Sequence, residues 1–272
     1  MNASFNSRPR LLAAAASIAA LLASQSVLAE EPQSPEADAW QFAIGVGAVS
    51  HARYPGSAER KTSGFPVLSA QYGRYFIGSV PGAGVPAGLG AYLLQDDHLH
   101  VGIGLGGDVG KARQESDSPR LHGLGDVDGT VLGTVFASYG YQWFTVRSST
   151  VSDIGGKHHG TRATLELEGK YAVSEKLSLS AGPSVTWADA RYTQKFFGID
   201  AAQSARSGRA IYTPKSGINS VGLSLGAELR VSPSWGVGAM VNASQLRGGA
   251  ADSPVTERKS QSAAGLFAAY RF

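Results

Sequence analysis

Between residues 161 and 173 the chain switches chemistry at every step. Ala163, Leu165, Leu167, Gly169, Tyr171 and Val173 fall on one parity, and Arg162, Thr164, Glu166, Glu168 and Lys170 on the other. A helix would scatter these five polar residues around its circumference, whereas a strand sets them all on one side. Residues 220–231 repeat the pattern. Val221, Leu223, Leu225, Ala227, Leu229 and Val231 stand opposite Ser224, Glu228 and Arg230. Residues 98–106 do so again, with His98, His100, Gly102, Gly104 and Gly106 opposite Leu99, Val101, Ile103 and Leu105. A soluble sandwich could alternate in this way too, so the pattern fixes strands before it fixes their surroundings.

The N-terminus is of another kind. Arg8 and Arg10 precede an apolar stretch at 11–22, broken only by Ser17, and Val27-Leu28-Ala29 offers a small residue before a cut. The stretch is too short for the roughly 20 residues that a spanning helix needs. It is expected to be a signal peptide, 1–29, removed before Glu30. Past it no apolar run reaches about 18 residues, which excludes helical spans. Mean hydropathy is −0.08 and hydrophobic content 43%. Both suit strands that show lipid only one face. Removing Arg8 and Arg10 leaves 22 basic against 21 acidic residues, so no basic excess argues for nucleic acid. With no cysteine, an exported domain has to hold itself together without disulfides. Its 35 glycines suit crowded interiors and tight turns.

Twelve strands are expected, at 40–50, 62–72, 75–81, 87–94, 98–107, 129–139, 142–150, 161–173, 176–190, 218–231, 235–246 and 263–272. The third and fourth are short and flanked by Gly and Pro, so ten strands is the fallback. The links between them separate by length. Those at 73–74, 95–97, 140–141, 174–175 and 232–234 are short, while 51–61, 108–128, 151–160, 191–217 and 247–262 are long, with 82–86 the exception. Long links on one side only match a transmembrane antiparallel up-and-down β-barrel, with short periplasmic turns and longer external loops. Trp40, Tyr72, Tyr75, Tyr92, Tyr139, Trp143, Tyr171, Trp187 and Trp235 lie near expected strand ends, where interfacial girdles place such rings. The division expected is therefore a signal peptide at 1–29, a periplasmic tail at 30–39 and an outer-membrane barrel at 40–272. On its last strand Leu266, Ala268, Tyr270 and the terminal Phe272 share a face. This looks like the C-terminal signal read by the barrel-assembly machinery, and a strand ending flush with the terminus would close the barrel against the first.

Tyr192-Thr193-Gln194-Lys195-Phe196-Phe197-Gly198-Ile199, Ala205-Arg206-Ser207-Gly208, Tyr212-Thr213-Pro214 and residues 246–255 resemble the MipA/OmpV family of MltA-interacting proteins. Trp235, Tyr270-Arg271-Phe272, Tyr54-Pro55-Gly56-Ser57 and Tyr72-Gly73-Arg74-Tyr75-Phe76 extend the likeness in the same order, from about residue 40 to the end. The resemblance implies an outer-membrane barrel. The family's namesake joins a murein transglycosylase to a murein synthase, and other members are described as porin-like or adhesive. Fold transfers more safely than role, so two readings stay open: a scaffold for murein-remodelling enzymes, or a small porin-like passage.

The candidate site residues follow from the barrel. Arg162, Glu166, Glu168, Lys170, Glu228 and Arg230 should face the lumen, as a selective passage or, more simply, as an ion-pair network filling a narrow barrel. Phe196 and Phe197, with Arg206 and Arg209, lie in the longest loop. They could plug the mouth and offer cations to an anionic ligand or lipopolysaccharide, or be an ordinary solvated loop. His98 with His100, and His158 with His159, lack further ligands at metal spacing, so neither metal nor cofactor is expected. His51, His122 and His158 fall in expected loops, yet no Gly-x-Ser-x-Gly marks a nucleophile beside them, and no catalysis is expected. The partners expected are outer-membrane lipid and lipopolysaccharide, the assembly machinery and, through the resemblance, the murein enzymes.

Overall fold

The computed structural model describes residues 39–107 and 111–272. The expected signal peptide and all but the last residue of the expected tail lie outside the described residues. The strands are β1 (Trp40–Ala52), β2 (Arg60–Tyr72), β3 (Tyr75–Val80), β4 (Val85–Gln95), β5 (Leu99–Gly107), β6 (Lys111–Arg113) and β7 (Val127–Asp128). They continue as β8 (Val131–Tyr141), β9 (Phe144–Asp153), β10 (Thr161–Ala172), β11 (Leu177–Ala188), β12 (Gly217–Arg230), β13 (Trp235–Leu246) and β14 (Ser260–Arg271). Among the described residues three α-helices, α1 (Ala190–Phe197), α2 (Ala201–Ser207) and α3 (Gly248–Ala251), lie in the long loops. Among the described residues twelve strands, all but β6 and β7, close one antiparallel barrel. The closing seam pairs β1 with β14 from Ala43↔Arg271 to Ser50↔Ala264.

Closure satisfies most of the backbone, which lipid cannot do, and alternation then sorts the side chains. Leu165, Leu167 and Tyr171 are exposed on the outer wall, with Leu223, Leu225 and Leu229 on β12. In water this girdle would be untenable, and in hydrocarbon it is the ordinary solvated face. Inside, two apolar clusters fill much of the lumen. One holds Val49, Phe65, Val67, Met240 and Phe267. The other holds Phe76, Val80, Val85, Leu132, Phe136 and Val151.

The glycines explain how these rings fit. Phe65 pairs across strands with Gly47, Phe76 with Gly90, Phe136 with Gly102, and Phe267 with Gly238. Each ring lies where the glycine's Cβ would stand. A narrow barrel lacks room for side chains standing upright from every strand, so large residues fold flat over their smallest neighbours.

The turns at the end where the chain leaves β2, β4, β8, β10 and β12 are two to four residues long. An aromatic ring of exposed Trp40, Tyr75, Tyr139, Tyr141, Trp143, Tyr171 and Trp235 surrounds that end. Tyr92 does not belong to the girdle. It is half-buried in the lumen, against Phe76 at 5.4 Å and Phe136 at 5.7 Å between ring centres. A register irregularity between Tyr92 and Leu94 changes which residues of β4 face inward. His51, expected in a loop, is buried near the end of β1.

Candidate functional site

The lumen and the folded loops above it bring the candidate residues together. On β9 and β10, Arg147 Nη2 meets Glu168 Oε1 at 2.9 Å, both side chains only 12% exposed, and Lys170 Nζ lies 3.9 Å from the same oxygen. Glu228 on β12 receives Arg271 Nη2 at 3.8 Å. Glu166, with Arg147, Glu168, Ser180, Ser184 and Ser224, lines a small recess on the inner side of the wall. Arg230 is exposed at the short-turn rim. Arg162 lies at the other end of the lumen, where Nη2 donates to the carbonyl of Ala83 at 3.1 Å. Arg147 and Arg271 belong to these contacts although the sequence reading passed over them. Arg147 shares parity with Thr145 and Ser149 in a polar strand, so alternation of apolar residues gave no sign of it. Arg271 was hidden by its place between the aromatics of the C-terminal signal.

The longest loop contains α1 and α2. Asp189 caps α1 by accepting from the Tyr192 N–H at 2.7 Å. Asp200 and Gln203 form a reciprocal capping box at the start of α2, and Gly208 ends it at φ 70°. Asp-x-x-Gln followed by Gly is a sequence signature of such a helix. It was hidden by length, because seven or eight residues carry too little apolar period to register.

These helices join the other loops in a cap with its own interior. Tyr54, Leu121, Leu124, Ile199 and Val255 come from four separate loops and are 0–3% exposed. Phe197, fully buried, packs with Leu246, Ala250 and Ala251, while half-buried Phe196 leans on Tyr192 and His159. Polar contacts tie the same pieces. Ser253 Oγ donates to the Phe197 carbonyl and the Tyr54 hydroxyl to Glu257 Oε1, each at 2.6 Å. Arg206 Nε donates to the Gly123 carbonyl at 3.2 Å, and Arg209 Nη1 to that of Pro254 at 3.5 Å. Arg113, buried, donates to the Phe196 carbonyl at 3.0 Å. Cations suggested as ligand-binding groups are thus engaged, at least in part, with the cap's own carbonyls.

Leu266 is exposed on the outer wall, with Phe272 and half-buried Ala268 and Tyr270 on the same parity. The Phe272 N–H donates to the Phe42 carbonyl at 3.0 Å, so the terminus is stitched to the first strand. Among the described residues no group of three or more His, Cys, Asp or Glu gathers as metal ligands would.

A closed barrel with an aliphatic outer belt, an aromatic ring at its turn end and an interior of apolar clusters and ion pairs is an outer-membrane β-barrel protein. The chain belongs to the family of the MltA-interacting protein MipA, whose profile matches residues 44–272. No curated protein matches it significantly. Among solved structures it is similar to an outer-membrane channel from Pseudomonas putida F1, at 12% identity and TM-score 0.39, covering 90% of this chain and 100% of that one. It is also similar to OmpT, an outer membrane protein of Vibrio cholerae, at 11% identity and TM-score 0.38, covering 89% and 100%. The Pseudomonas putida toluene transporter TodX gives 12% identity and TM-score 0.40, covering 86% and 89%. Likenesses this distant carry no argument about activity.

Proposed function

We propose that this protein is a sealed outer-membrane barrel that anchors murein-remodelling enzymes rather than an open general porin. The observation that carries the reading is the bolted cap: residues from four loops share one dry interior over a lumen already occupied by two apolar clusters. A diffusion pore needs loops that leave a clear water path, whereas an anchor needs only a stable cylinder. The family description, an MltA-interacting protein, supports MltA as the kind of partner, and the resemblance implies a murein transglycosylase joined to a murein synthase. Docking would use the short-turn rim and the segment before Trp40. Lipid and lipopolysaccharide would surround the wall and cap. Leu266, Ala268, Tyr270 and Phe272 would serve as the signal for barrel assembly.

A second reading, a gated solute passage, draws on the charged recess of Glu166, Glu168 and Arg147. The loop around Phe196, Phe197, Arg206 and Arg209 would then be its gate. Planar-bilayer recording and pull-down of a transglycosylase from solubilised envelopes separate the two. The anchor predicts no regular conductance steps and specific retention of the enzyme. Steps whose ion selectivity shifts in Glu166→Lys, with no enzyme retained, would replace it with the passage.

A further inference from the structure

The wall is not paired evenly all round. β2 pairs with β1 along its whole length, from Trp40↔Tyr72 to Ala52↔Arg60. On its other side it meets β3 only at Ala70↔Ile77, Gln71↔Phe76 and Tyr72↔Tyr75. Gly78 still lies against Leu68 and Ser69, and beyond them the β3–β4 hairpin leaves the wall. Gly78, at φ 139°, stands at a register irregularity that runs to Val80 and supplies the bend. The tip then reaches across the lumen, where Ser149 Oγ on β9 donates to the Gly82 carbonyl at 2.6 Å and Arg162 on β10 holds that of Ala83. Val80, Ala83 and Val85 are buried there. Among the described residues, 60–67 of β2 therefore have no strand partner on this side.

An open edge at membrane depth is costly, and this one carries an adaptation. The Phe42 carbonyl accepts from Phe272 on the β14 side, so even-numbered residues of β1 turn their backbone groups toward β14. Pro66 stands opposite Val46 and so addresses the seam, where proline removes one unpaired donor. The lips of the seam are apolar. Leu68 and Ile77 are exposed toward lipid, while Phe65 and Val67 on one side and Phe76 and Val80 on the other face inward. At the loop end of the same inward parity stands Lys61, which has no carboxylate partner among the described residues.

We propose that the seam between β2 and the β3–β4 hairpin is a lateral binding site for a single-chain anionic amphiphile drawn from the outer leaflet. The alkyl tail passes on the loop side of Leu68 and Gly78 to lie along the two apolar clusters, and the anionic head meets Lys61. Hydrocarbon is the medium on which the lips open, and an inward cation at the loop end suits an anionic head drawn in past those lips. The site needs no path through the cap, so it is compatible with either reading of the barrel's role.

A palmitic acid carrying a diazirine at its tail tests the assignment, photolysed with the folded protein in neutral detergent and mapped by peptide mass spectrometry. Saturable labelling is expected at Phe65, Val67, Phe76 and Val80, competed by unlabelled palmitate. Lys61→Gln should weaken occupancy about fivefold, the scale of one partly exposed ion pair. Val67→Trp should abolish seam labelling in protein that still migrates as a folded barrel. Labelling confined to outward residues such as Leu223 and Leu225 would overturn the site. Equal labelling by a diazirine phospholipid, or indifference to Lys61→Gln, would overturn the single-chain anionic ligand.

Discussion

At the scale of single residues, the decisive chemistry lies in pairs of unequal size. A phenylalanine ring lies flat in this lumen only because the residue facing it across the strands is glycine, and this occurs at Gly47, Gly90, Gly102 and Gly238. Cβ at such a position meets ring carbons within van der Waals distance. Gly238→Val should therefore destabilise the barrel by about 1–3 kcal/mol, the usual cost of overpacking. The check is a lower midpoint for loss of the folded band on semi-native electrophoresis. Substitution of the solvent-side Gly156, which has open space around it, would instead act only through its φ of 77°. The charged residues follow a related logic. Arg147, Glu168 and Lys170 satisfy one another in a confined space, where one unpaired charge would cost more than the pair gains.

At the scale of elements, strands and loops are stabilised by different means. The strands have backbone pairing and lipid around them, while the loops build a small globular interior of their own. Leu121, fully buried among Tyr54, Leu124, Ile199 and Val255, is central to it. Leu121→Ala should cost the cap about 2–5 kcal/mol and leave the barrel folded. Limited proteolysis should then cut the loops at enzyme concentrations that spare the parent. Acid should loosen the same cap. The N–H groups of Gly123 and Gly125 hold the Glu115 carboxylate below its usual pKa. A depressed carboxylate contributes stability above its unfolded value, and that contribution is lost as pH falls through the folded one. Loop cleavage by an acid-active protease should thus rise as pH drops below about 4, and less so in Glu115→Gln.

At the scale of the whole molecule, closure is the one contact that no local segment can supply. β14 completes the cylinder through pairs that include Ala43↔Arg271 and Ile44↔Tyr270. Deleting residues 270–272 removes both pairs and the Phe272 N–H bond to Phe42. The truncated chain should fail to give a heat-modifiable band after refolding into detergent, whereas Phe272→Tyr, which keeps the backbone contact, should refold like the parent.

Alternation and link length alone set the number of strands, their approximate bounds, which end carries the loops and which parity faces lipid. These features are local or periodic, and a two-residue period survives in a linear reading. The same parity underlies the expectation that Arg162, Glu166, Glu168, Lys170, Glu228 and Arg230 face the lumen. What remained hidden depends on residues distant in the chain. The cap joins Tyr54 to Glu257 and Ser253 to Phe197, and Arg147 meets Glu168 only because β9 and β10 pair in one register. The inward turn of the β3–β4 hairpin is a further case. Gly and Pro near 78–86 signal irregularity, but whether the tip continues the wall or crosses the lumen depends on Ser149 and Arg162 more than sixty residues later. Periodicity determined the cylinder, because each strand meets the same two solvents. Only the closed structure decided what fills it, because that is a matter of volume and of partners brought together by closure itself.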